Sequence, residues 1–129
     1  MLQSAFLVED SILIRDNLIP ILADLADVRV IASSTTEDEA QAWLSRHVGQ
    51  WDLGVVDLFL EQGSGLGVLA ICRDREPCQR MIILTNYATP DTRRRCLGMG
   101  ADAVFDKSTE LEALFDFCLL RAPRDKSSS

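Results

Sequence analysis

The sequence predicts an α/β domain, a doubly wound sheet of five parallel strands with helices on both faces. Three observations predict it. Five short apolar runs recur along the chain, and three of them are nearly unbroken, as strands covered on both faces are. Segments with helical spacing lie between and after the runs. The resulting order, strand then helix five times over, favours right-handed crossovers onto one parallel sheet.

The first strand is read at Ser4-Ala5-Phe6-Leu7-Val8, which stops at acidic residues. Ile14, Leu18, Ile21, Leu22 and Leu25 then repeat at helical spacing, with Ser11 placed to cap the helix. Pro20 falls inside that pattern and should kink the helix or weaken one turn. Val28-Arg29-Val30-Ile31-Ala32 is the second strand. Thr36-Glu37-Asp38-Glu39 fits a capping box, followed by Ala40, Trp43 and Leu44 on one face. Leu53-Gly54-Val55-Val56 is the third strand and ends at Asp57. A short helix is expected from Leu66 to Arg75, before Pro77. Met81-Ile82-Ile83-Leu84 is the fourth strand, ending at Thr85. The next helix is expected from Asp91 to Leu97, stopped by Gly98 and Gly100. Ala103-Val104-Phe105 is the fifth strand, just before Lys107. Leu111, Leu114, Phe115 and Cys118 form the last helix, with Thr109 and Glu112 as a second capping box.

At 129 residues the chain has the length of one domain, expected over residues 1–120, and Arg121 to Ser129, with its proline, charges and serines, reads as a disordered tail. Composition is that of an ordinary globular protein, 47% hydrophobic and 26% charged. A net charge of −7 argues against direct nucleic-acid binding, which runs on positive charge. No apolar run approaches the roughly 18 residues of a membrane span. Met1-Leu2-Gln3-Ser4 lacks the basic start of a signal peptide, so the expected location is the cytoplasm. Cys72, Cys78, Cys96 and Cys118 show no Cys-x-x-Cys spacing and read as small core or helix residues in a reducing compartment.

Function in an open α/β sheet is decided just beyond the carboxyl ends of the strands. Glu9 and Asp10 follow the first strand, Asp57 the third, Thr85 the fourth and Lys107 the fifth. Three carboxylates gathered on one edge repel, and one would take a proton unless a cation stood among them. A hard divalent ion resolves this, and Mg²⁺ suits one or two carboxylates completed by water and phosphate oxygens. Lys107 adds a compact positive charge and Thr85 a hydroxyl donor. Together they describe a phosphoryl acceptor: a carboxylate nucleophile, a metal, and two groups that hold phosphoryl oxygens.

Leu7-Val8-Glu9-Asp10-Ser11, Val55-Val56-Asp57-Leu58 with Gly63-Ser64-Gly65, Ile83-Leu84-Thr85-Asn86, Gly100-Ala101-Asp102 and Lys107-Ser108 together resemble the receiver domains of bacterial two-component response regulators, in particular the single-domain, chemotaxis-regulator-like ones. The resemblance covers residues 4 to about 120. It implies a flavodoxin-like (βα)5 fold with strand order 2-1-3-4-5. It implies that Asp57 takes a phosphoryl group from a sensor histidine kinase or a phosphotransfer protein, with Mg²⁺ held by Glu9, Asp10, Asp57 and the backbone carbonyl of Phe59. Lys107 would contact the phosphoryl group, and Thr85 would move to hydrogen-bond it and so shift the population towards an active arrangement. Chemistry would be limited to self-catalysed transfer and loss of phosphate, and the output would pass to a downstream protein whose identity the sequence does not give. The face built from the fourth helix, fifth strand and fifth helix would be open to homodimerisation. The resemblance also implies that Phe59 and Tyr87, two positions after Asp57 and Thr85, line the path of the water that removes the phosphoryl group.

Two departures stand out. Many members carry an aromatic residue three positions before the lysine, where this chain has Val104, and strand alternation should point the neighbouring Phe105 to the other face. Ser108 follows Lys107 where a proline is frequent. Other residues carry less. His47, the only histidine, is expected near the apolar side of the second helix. Trp43 and Trp51 read as packing residues. Arg93-Arg94-Arg95 is either a solvated helix face or a partner contact, and Gly63-Ser64-Gly65 is a turn rather than a phosphate loop. Three other readings stay open. The chain can be the receiver part of a longer regulator. It can be a flavodoxin-like cofactor binder, although Glu9 and Asp10 would repel a flavin phosphate. It can be a small phosphatase, although Phe59 stands where a second aspartate would act as general acid.

Overall fold

A computed structural model describes residues 2–120, so the expected tail lies outside the described residues. Five parallel strands, β1 (Gln3–Val8), β2 (Val28–Ser34), β3 (Leu53–Asp57), β4 (Arg80–Thr85) and β5 (Ala103–Asp106), form one sheet in the order β2-β1-β3-β4-β5. The helices are α1 (Ile12–Ala26), α2 (Glu37–Arg46), α3 (Gly65–Ile71), α4 (Pro90–Gly98) and α5 (Leu111–Leu119). This is the flavodoxin-like (βα)5 arrangement the sequence predicts.

Strand alternation sorts the apolar residues into two cores. Phe6, Val8, Val56, Met81, Ile83 and Val104 pack under α2, α3 and α4. Ala5, Leu7, Val55, Ile82 and Leu84 pack under α1 and α5, joined at the sheet edge by Phe105. Each fully buried Leu, Ile or Phe contributes roughly 1.5–3 kcal/mol over its exposed state. At the amino end of β4 the buried Arg80 reaches across the sheet. Its guanidinium donates to the carbonyls of Phe117 (3.0 Å) and Leu120 (2.5 Å) and to Gln3 Oε1 (3.1 Å), and lies 4.7 Å over the Phe117 ring.

Local signals hold at most helix starts. Ser11 and Thr36 accept the N–H of Ile14 and Glu39, and Thr89 caps α4 with Pro90 at its first turn. In the α2 box Glu39 takes the Thr35 N–H, one residue earlier than the capping-box pattern places it. Pro20 sits within α1 without ending it; Pro20 and Asp16, whose carbonyl loses its partner, both face solvent.

Two expectations fail. α3 stops at Ile71 rather than Arg75. The chain turns there so that the Arg75 guanidinium can bind the carbonyls of Cys72, Gln79 and Gly100 and the carboxylate of Asp102. Thr109 and Glu112 form no capping box, because the N-cap of α5 is Glu110, which makes no side-chain cap bond. Asp106 Oδ1 already accepts the N–H groups of Ser108 and Thr109. Glu110 is held by Arg93 and by the Asp106 N–H.

The four cysteines are free; Cys72, Cys96 and Cys118 are buried and Cys78 is half-buried. Phe6, Trp43 and His47 stack in sequence, with centroids 4.7 and 4.1 Å apart, and His47 Nδ1 lies 2.7 Å from the Trp43 carbonyl. That gives the histidine a packing role. Trp51 is buried in the same core.

Candidate functional site

Parallel strands bring their carboxyl ends to one edge, and the residues beyond β1, β3, β4 and β5 meet there. Lys107 Nζ bridges two buried carboxylates, Glu9 Oε1 at 2.8 Å and Asp57 Oδ2 at 3.0 Å. Glu9 Oε2 accepts the Ser11 N–H at the start of α1, which fixes its side chain. Asp10 is more open and accepts the Glu61 N–H at 2.7 Å from the β3–α3 loop. One carboxylate oxygen from each of Glu9, Asp10 and Asp57 lies within 4.8 Å of the others.

The electrostatics follow from burial. Burial pushes the Asp57 carboxyl up from 3.8 to about 6, against the pull of Lys107 and with a further push from Glu9. Burial also depresses the Lys107 ammonium, but its hydrogen bond to Glu9 and the charge of Asp57 more than reverse this, and it stands above its ordinary value. One ammonium cannot balance three carboxylates. An all-oxygen cluster carrying excess negative charge fits a hard divalent ion such as Mg²⁺.

The remaining expected site residues are placed less tightly. Phe59 has its N–H 3.4 Å from Asp57 Oδ1, and its ring stands half out of the protein. Thr85 is fully buried at the end of β4, and its hydroxyl accepts the Tyr87 N–H at 3.0 Å. The Thr85 carbonyl accepts the Lys107 backbone N–H at 3.0 Å, which sets the lysine at the end of β5 beside β4. The Phe59 and Tyr87 rings meet edge to face, centroids 5.4 Å apart. The residues following Asp57 and Thr85 by two are thus each tied to that side chain and to one another.

Val104 is buried under α4, and Phe105 lies on the opposite face against Phe117, as alternation requires. The arginine run divides. Arg93 is an internal strut, donating to the carbonyls of Ala88 (3.0 Å) and Val104 (2.8 Å) and to Glu110 (2.6 Å). Arg94 pairs with Asp91 at the exposed surface. The strut role of Arg93 and the bond from the Glu61 N–H to Asp10 were not legible as motifs. A cavity of about 380 Å³ lies between α2 and α3 at the amino ends of β3 and β4, away from the carboxylates.

A family model described as the response regulator receiver domain matches residues 5–118. This chain belongs to the response regulator receiver family. Among curated relatives, the receiver is 38% identical over 56 residues to the photosynthetic apparatus regulatory protein RegA of Cereibacter sphaeroides, a match covering 43% of this chain and 30% of RegA. The chain spans less than a third of the curated relatives it matches. Among solved structures, a LuxR-family DNA-binding response regulator from Staphylococcus aureus superposes with a TM-score of 0.77 at 21% identity, covering 89% of this chain and 94% of that one. The CheX–CheY–BeF3–Mg complex of Borrelia burgdorferi gives a TM-score of 0.78 at 18% identity, covering 88% and 84%. These structural likenesses show the receiver fold. Among the described residues no helix of this receiver is long and apolar enough to cross a membrane.

Proposed function

We propose that this receiver accepts a phosphoryl group on Asp57 from a histidine kinase or phosphotransfer protein, with Mg²⁺ at the site, and switches conformation to regulate a partner protein. The observation that carries the reading is a buried carboxylate, Asp57, held by Lys107 beside a second acidic pair. An Asp57 oxygen attacks phosphorus, the bond to the donor imidazole breaks, and its electron pair returns to the imidazole. Mg²⁺, held by Glu9, Asp10, Asp57 and the Phe59 carbonyl, would offset charge on the phosphoryl oxygens. Lys107 contacts the same oxygens, and Thr85 donates its hydroxyl to one of them. The protein is a switch rather than an enzyme acting on other substrates, works in the cytoplasm, and passes its state to a downstream protein. The α4–β5–α5 face is the surface for a homodimer, and no direct contact with nucleic acid is part of this reading.

The test is labelling by acetyl phosphate with Mg²⁺ and with a chelator in its place. Label acquired only with Mg²⁺ supports the reading, and label acquired equally without it overturns the metal's role. Saturating Mg²⁺ should also raise thermal stability, by about 2.7 kcal/mol at 100 times its dissociation constant. Asp10→Asn should shrink that gain in a melting curve; an equal gain in both proteins would place the ion elsewhere.

Val104 cannot report the state of Thr85 by a ring flip, so Tyr87, anchored to the Thr85 hydroxyl, is expected to move on activation. Free and beryllofluoride-bound structures with an unmoved Tyr87 would refute this.

A further inference from the structure

The β3–α3 loop supplies Phe59, whose carbonyl is expected on the metal, and Glu61, whose N–H holds Asp10. Phe59 pairs with Ser64 in an isolated antiparallel bridge, so the loop is a tight turn with Phe59 on one stem and Ser64 on the other. Ser64 is gripped by Glu37, from the first turn of α2: Glu37 Oε1 accepts the Ser64 N–H at 2.8 Å. The Glu37 N–H in turn donates to the Gln62 carbonyl at 3.1 Å. Gln41 completes the clamp, its amide donating to Glu37 Oε2 at 3.1 Å and to the Gly67 carbonyl at 3.2 Å. The Glu37 carboxylate also lies at a helix amino end, where the helix dipole favours negative charge.

The glycines of this stretch confirm the closeness of the fit. A Cβ on Gly63, which has φ +103°, would overlap the Glu37 side chain. One on Gly67 would overlap the Glu37 carboxylate, and one on Gly65 would press on the Asp57 carbonyl. Gly63-Ser64-Gly65-Leu66-Gly67 is therefore shaped to admit one carboxylate and to let the loop lie against Asp57. Residues 62 and 64 are held by Glu37 and residue 61 by Asp10.

We infer that Glu37 is a positioning residue for the divalent-metal site, acting through Ser64 to set the Phe59 carbonyl and the Glu61–Asp10 bond. This rests on the reading of Glu9, Asp10 and Asp57 as metal ligands. Outer residues that orient ligands typically change metal affinity by about 10- to 100-fold when removed.

The test is calorimetric titration of the whole protein with MgCl₂. Glu37→Ala is expected to weaken Mg²⁺ binding about tenfold and to speed hydrogen exchange at the Glu61 and Ser64 amides. Gly67→Ala leaves every carboxylate intact but drives Glu37 from its seat, and should weaken Mg²⁺ similarly. In a Glu37→Ala background Gly67→Ala should then cost nothing more, a non-additivity that general loosening of the fold would not produce. Should Glu37→Ala fail to fold, Gly67→Ala decides alone. Unchanged Mg²⁺ affinity in the folded variants, or additive losses, overturns the positioning role and leaves the metal site standing. A wild-type protein that binds no Mg²⁺ overturns both.

Discussion

Asp57→Ala is expected to abolish Mg²⁺-dependent phosphorylation by acetyl phosphate, since Asp57 is the site carboxylate that Lys107 holds while its other oxygen is only loosely engaged, 3.4 Å from the Phe59 N–H. Glu9 shares the lysine but spends its other oxygen on the Ser11 N–H, and Asp10 spends one on Glu61. A variant labelled as well as wild type would refute the assignment. The same residue should leave a mark on stability. Burial raises Asp57 from 3.8 to about 6, so between those values the folded protein keeps a proton that the unfolded chain has released. Unfolding then releases protons, and stability falls as pH rises through that window. In the absence of Mg²⁺ the full penalty is on the order of 3 kcal/mol above pH 6 and vanishes below about pH 4. Asp57→Asn removes the titrating group. Urea melts without Mg²⁺ should therefore find it more stable than wild type at pH 8 and level with it near pH 4; parallel curves would show that Asp57 is not strained by burial.

Loss of the phosphoryl group should be slow. Hydrolysis needs a water in line with phosphorus, and the two side chains flanking its path, Phe59 and Tyr87, touch edge to face and carry no carboxylate or amide to orient it. Losing that orientation costs of order 10- to 100-fold in rate, or about 1.4 to 2.8 kcal/mol of barrier. A Phe59→Asn, Tyr87→Glu double variant should lose phosphate faster by about that factor, followed as release from the isolated, labelled protein. If the double variant decays no faster, the tyrosine hydroxyl is orienting water itself and the steric argument fails. A persistent state suits slow signalling or storage of phosphoryl groups.

Much of the site could be read from the chain because a parallel sheet converts position in sequence into position in space. Each apolar run ends where its strand ends, so Glu9, Asp10, Asp57, Thr85 and Lys107 fall on one edge once the runs are recognised. The same alternation correctly separated Val104 from Phe105. Glu37 was hidden for a physical reason. On the loop it acts on a backbone N–H, which every residue but proline has, so the loop offers no partner side chain to recognise; its traces are the spacing of Gly63 and Gly67 and the Gln41 amide one helical turn on. The false capping box at Thr109 and the overlong third helix share another cause. Both are local patterns overruled by long-range arginine bonds: Arg93 takes Glu110 from 17 residues away, and Arg75, the last residue of the expected helix, reaches Gly100, 25 residues on.

The Arg80 clamp has a mechanical consequence. Tension applied at Leu120 would ordinarily peel a terminal helix away one turn at a time. Here the last turn of α5 is tied through one guanidinium to β4, an interior strand, and to Gln3 on β1. The load would enter the middle of the sheet and be shared by several bonds in parallel, so α5 and the strands beneath it should yield together as one mechanical unit.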